Sequence, residues 1–153
     1  MKALIEELKK LLSGGGAHVG LKEATENIPF TLLGERPHGL PYSIWQLVEH
    51  IRIAQWDMLE FSKDANHQSP KWPDGYWPKE TAPETQSSWA ESLKQIEDDL
   101  EAFIELIQQR DLFEPIAHGT GQTLLREAFQ IADHNAYHTA EIIVIRRLLA
   151  IWK

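Results

Sequence analysis

Apolar residues recur at helical spacing in four long stretches of this chain, and no stretch alternates as a half-buried strand would. The first stretch places Leu4, Ile5, Leu8, Leu11 and Leu12 on one side and Glu6, Glu7, Lys9 and Lys10 on the other. Gly14, Gly15 and Gly16 stop it, because glycine is costly inside a helix and takes left-handed backbone cheaply. Gly20 then caps a short helical piece, LKEATENI, which Pro29 interrupts. From Pro29 to Tyr42 three prolines and two glycines predict a connecting loop. Ser43, with Gln46 three residues on, forms a capping box at the head of SIWQLVEHIRIAQWDMLEF. The inner face of that helix is Ile44, Leu47, Val48, Ile51, Gln55 and Met58, and His50 lies at its border.

Residues 64–86 hold four prolines and the aromatic trio Trp72, Tyr76 and Trp77, a long irregular connection. Three aromatics must pack on something, either as a strap across the bundle or as a wall of a binding-site mouth. Ser87 or Ser88 is the expected cap of the next helix, whose seam is Trp89, Leu93, Ile96, Leu100, Phe103 and Ile107. Its other faces carry Glu91, Glu97, Asp98, Asp99, Glu101 and Glu105, a run expected to be solvated surface. A turn from Asp111 to Gly121 follows, and Thr120 or Thr123 opens the last helix, Leu124 to Leu149. Leu124, Ala128, Ile131, Ile142, Ile145 and Leu149 form its buried stripe. The pattern is all-α: a four-helix bundle with a long irregular, aromatic- and Pro-rich crossover between the second and third long helices. Residues 1–153 are expected to form a single domain.

Charge narrows the partners. A formal net charge of -8 and a pI near 5.3 disfavour a phosphate backbone, and Arg146–Arg147 is only a short basic pair. With no Cys, disulfides, thiolate ligands and Cys nucleophiles are all excluded, which suits a reducing cytoplasm. The N-terminus, MKALIEELKKLL, lacks a secretory h-region, and the apolar runs fall far short of the ~20 residues that span a bilayer.

The chemistry centres on the last helix. At about 100° per residue, His134 and His138 sit roughly 40° apart and face the buried stripe. A buried imidazole without a partner loses its hydrogen bonds to water, and a metal ion would restore them. A catalytic site of the zinc type takes three protein ligands and leaves a position open, and His50 is the best-placed third ligand. HNAYH lacks the Glu that follows the first His in a metalloprotease HExxH helix. The residues three before the candidate ligands are Leu47, Ile131 and Asn135, so the Glu-x-x-His pairs of a di-iron site are missing too.

GGGAH, PYSIWQLVEHIRIAQWDMLEF, SPKWPDGYWP and LLREAFQIADHNAYHTAEIIVIRRLL together resemble the DinB-like superfamily of four-helix-bundle metalloproteins over nearly the whole chain. The resemblance implies one divalent ion, nickel or zinc, held by His50, His134 and His138, and a homodimer. It also implies a thiol-dependent transferase or isomerase activity with a low-molecular-weight thiol, although many members have no assigned reaction. Relatives often carry Gln three residues after the second His of HxxxH, where this chain has Glu141.

Glu127 and Glu141 on the last helix and Asp57 near His50 are the expected carboxylate partners of the imidazoles, each weighed against an ordinary surface role. Asn135 projects toward the core as a buried amide or a substrate contact, and His18, after the glycine run, is an extra candidate on the open side. The leading expectation is a metal-dependent hydrolase or thiol transferase acting on a small molecule, with any thiol supplied externally. The competing one is a non-catalytic dimeric bundle that binds a ligand or partner through its Trp-rich loop. Nucleic acid and membrane are excluded as partners.

Overall fold

The computed structural model describes residues 1–14 and 16–152, so Gly15 in the predicted helix stop lies outside it. Among the described residues the chain is all-helical: α1 (Lys2–Leu12), α2 (Leu21–Thr25), α3 (Ile44–Lys63), α4 (Gln86–Gln109) and α5 (Leu124–Leu148), with short 3-10 turns in the connections. α3 packs on both α4 and α5, and α1 and α2 pack against α5. This is the expected helical bundle.

The helix starts follow from local chemistry. At the head of α3, the Ser43 hydroxyl accepts from the Gln46 backbone N–H, and the Gln46 side chain accepts from the Ser43 N–H. Thr123 caps α5, its hydroxyl accepting from Arg126 N–H at 3.2 Å. α4 departs from expectation. Its cap is Thr85, not Ser87 or Ser88, and Ser88 closes a capping box in which a hydroxyl does the work usually done by Glu or Gln. α2 ends at Thr25, short of the predicted Ile28: Glu26 takes extended backbone at ψ 143°, and Asn27 then turns left-handed at φ 57°.

Two apolar clusters hold the bundle. One joins Leu8, Leu59, Phe103, Ile107 and Ile131, and the other joins Leu33, Ile44, Ile51, Ile142 and Ile145. Each such side chain contributes about 1.5–3 kcal/mol on full burial. On α3, Gln55 falls between the residues of the two clusters; on α5, His134, Asn135 and His138 do. The polar chemistry therefore sits at the junction of two greasy halves.

Two charged residues are buried, and for one of them, Asp99, this differs from the sequence reading. Asp99 is buried rather than solvated: Gln95 donates to its Oδ1 at 2.8 Å, and burial pushes its pKa up. Arg146 is buried as well and forms no basic surface with Arg147. Its guanidinium donates to the backbone carbonyls of Ala24 at 2.7 Å and Ile151 at 3.2 Å, which ties the end of α2 to the C-terminal turn.

Candidate metal centre

The α-helical repeat brings His134 and His138 to one side of α5, and the α3–α5 packing sets His50 against them. Their ring centroids are 4.6–4.8 Å apart, and their offered ligand nitrogens all lie within 4.8 Å of one another. Each ring has a back side and a front side. At the back of His50, Nδ1 donates to the backbone carbonyl of Tyr76 at 2.9 Å. At the back of His138, Nδ1 donates to the Glu141 carboxylate at 2.7 Å. Because a carbonyl and a carboxylate only accept, both rings carry their proton on Nδ1 and a lone pair on Nε2.

The front sides therefore present a problem in electrostatics. His50 Nε2 lies 3.0 Å from His134 Nε2, and a lone pair at that distance needs a proton or a cation opposite it. His134 Nδ1 is buried with no hydrogen-bond partner among the described residues. An all-imidazole donor set of this kind suits zinc, nickel, iron or copper. The residues present thus fit a divalent ion bound through Nε2 of each ring.

Burial keeps these rings neutral and ready to ligate. It lowers the His134 pKa to about 4, helped by His138 and His50 and opposed by the Asn135 side chain and Asp133. Burial likewise lowers His138 to about 4, with His50 adding to the effect. His50 is also lowered by burial, against the pull of the Tyr76 carbonyl and Glu141.

The aromatic crossover forms one wall. Trp77 stacks on the His50 ring at 3.8 Å and 5°, and Tyr42 stacks on the far side of Trp77 at 4.0 Å and 10°. Tyr76 is anchored by its hydroxyl, which donates to Asp57 and whose pKa is pushed up to about 12 by burial and that carboxylate. The cavity in front of the three rings has a volume of about 640 Å³, and Trp72, Tyr137 and Asp133 stand around it. The 64–86 segment is thus both strap and wall.

The remaining sequence candidates separate. Glu141 meets His138, but Asp57 does not reach His50: it accepts from His67 Nε2 at 2.7 Å and from the Tyr76 hydroxyl, so it steadies the residue that steadies His50. Glu127 is buried with its pKa raised by burial, and it accepts from none of the imidazoles. His18 is exposed, donates to the Val19 carbonyl at 2.9 Å and lines a separate cavity between α1 and α4. Asn135 bonds to Gln55. Sequence reasoning placed Trp77 in a candidate wall but missed the Tyr76 carbonyl and His67, which sit in a loop without periodicity. Gln55 was detectable, since an amide on an apolar stripe must have a partner.

Residues 19–142 match the family described as the DinB superfamily. The chain belongs to that superfamily. No curated protein and no solved structure matches it.

Proposed function

We propose that the protein is a metal-dependent enzyme in which His50, His134 and His138 hold one divalent ion, nickel or zinc. The observation that carries this reading is the arrangement of two rings whose Nδ1 atoms are tied outward, leaving Nε2 lone pairs facing a third imidazole beside an open cavity. An ion bound there would act as a Lewis acid toward a water or a thiol, giving hydrolase or thiol-transferase chemistry. The thiol would come from a small molecule, since the chain has no Cys, a composition that also fits a cytoplasmic protein.

The chain's own groups hold and select. Tyr76 and Glu141 fix ring orientation, while Trp77 covers one face of His50 and excludes water from it. No Lys or Arg lines the cavity among the described residues, whereas Asp57 and Asp133 do, together with several aromatic rings. A substrate with a flat apolar part and no net negative charge away from the metal suits that lining. Metal analysis of protein purified without an affinity tag, followed by a screen against thiol–electrophile pairs and esters, tests the reading. We expect close to one divalent ion per chain and loss of both ion and activity in His138→Ala; a metal-free protein whose behaviour is indifferent to that change would refute it.

We further propose a homodimer through the outer face of α5, where Tyr137, Val144 and Leu148 are exposed at helical spacing. Tyr137 also borders the cavity, so a second copy would narrow its mouth. Light scattering should give twice the chain mass for the native protein and the chain mass for Val144→Lys; a native monomer would exclude the dimer.

A further inference from the structure

Two of the three imidazoles have an identified acceptor behind them, and the third, His134, has none within hydrogen-bond geometry among the described residues. The chain of amides behind it nevertheless runs in only one direction. Its far end is the backbone carbonyl of Ile96 on α4, an acceptor with no proton to give. Gln55 approaches that oxygen at 2.7 Å and must therefore present Nε2, because Oε1 there would set two acceptors against each other. Its own Oε1 then faces Asn135 and requires a donor, which fixes the Asn135 amide with Nδ2 toward Gln55 at 2.8 Å. Both amide orientations follow from an atom whose role is not in doubt, so neither depends on telling oxygen from nitrogen.

The last link remains open. With Nδ2 committed, Asn135 has Oδ1 left, and that atom is buried without a hydrogen bond among the described residues. On the adjacent residue, His134 Nδ1 is buried and unpaired too. Asn135 follows His134 directly on α5, and a side-chain rotation that brought Oδ1 to Nδ1 would pair an acceptor without a donor with a nitrogen that can carry one. Leaving both unpaired would cost each its hydrogen bond to water with nothing in return.

We propose that Ile96, Gln55 and Asn135 form a buried amide relay that holds the His134 proton on Nδ1 and so aims its Nε2 lone pair at the site. Gln55 and Asn135 are positioning residues, since neither touches a reacting atom. Each imidazole then has one acceptor behind it: the Tyr76 carbonyl for His50, the Glu141 carboxylate for His138 and the Asn135 amide for His134. The relay also links all three long helices to one ligand, α4 through Ile96, α3 through Gln55 and α5 through Asn135. Its neutral amides leave the charge of a bound ion undiminished, unlike Glu141.

The inference rests on the metal-site reading, and zinc binding by the intact chain separates the two. Zinc affinity is measured by competition with a chromophoric chelator for the native protein, Gln55→Leu, Asn135→Leu and the double variant. Circular dichroism of each metal-free variant checks that it folds. Loss of an outer partner typically weakens metal binding about 10–100-fold. We expect losses in that range for both single variants, although Gln55 lies two residues removed from the metal position. A relay in series also predicts that the double variant loses no more than Asn135→Leu alone, whereas two independent packing defects would multiply. Nitrogen NMR of the zinc-loaded native protein should show a slowly exchanging proton on His134 Nδ1 that exchanges rapidly in Gln55→Leu. Native zinc binding with Gln55→Leu unchanged, or with multiplying losses, overturns the relay and spares the metal site. Absence of zinc binding by the native protein overturns both.

Discussion

Two cavities of similar size flank α5, about 640 Å³ in front of His134 and His138 and about 690 Å³ on the side facing α1, α2 and α4. Volume does not distinguish them, but the freedom of their polar groups does. The second cavity is walled by Leu11, Val19, Leu93, Leu100 and Ile104, and its histidine, His18, is exposed and bonds its own neighbour's carbonyl. In the first, three imidazoles converge, and two of them are held by acceptors that cannot be reversed. A site is recognised here by lone pairs with nowhere else to point.

The contrast can be broken most forcefully with acid. His134 and His138 have pKa values lowered to about 4, below the ordinary 6.5 that they regain on unfolding. As pH falls below about 6.5 the unfolded chain takes up protons first, so the stabilising preference for neutral rings is full above 6.5 and is lost on the way to about 4. Urea unfolding of metal-free protein should therefore show a loss on the order of a few kcal/mol between pH 7 and pH 4.

A smaller effect comes from the aromatic wall. Trp77→Ala removes stacking on His50 and on Tyr42 and should cost about 2 kcal/mol, with zinc binding weakened about tenfold. Trp77→Phe should recover most of both, as judged by urea midpoint and chelator competition. The smallest effect belongs to the other cavity. There Leu100→Ala, at a half-buried position, should cost about 1 kcal/mol and leave zinc affinity unaltered.

The helices and the histidine triplet were legible because both are periodic. Ser43 and Gln46 announce the start of α3, and His134 and His138 share a face by spacing alone. His50 was harder, a border residue that is buried with Trp77 stacked on its ring and two further imidazoles at its edge. Thr85 escaped notice as a cap because its partner is Ser88 rather than an acid or amide. Asp57 was paired with the wrong group for a general reason: helical spacing ranks neighbours within a helix, while its real partners, Tyr76 and His67, arrive on a loop. Asp99 looked solvated among five other acids, and its burial depends on how closely α3 approaches α4.

One consequence of the Tyr76 carbonyl concerns the crossover rather than the ring it holds. The bond from His50 to that carbonyl fastens the loop as much as it orients the imidazole, and thermodynamic coupling makes the two inseparable. Whatever steadies His50 protects the peptide bonds between Asp64 and Thr85 from proteases, and whatever displaces it exposes them. A cut in that segment, far along the chain from any histidine of α5, would in turn slacken the front of the site.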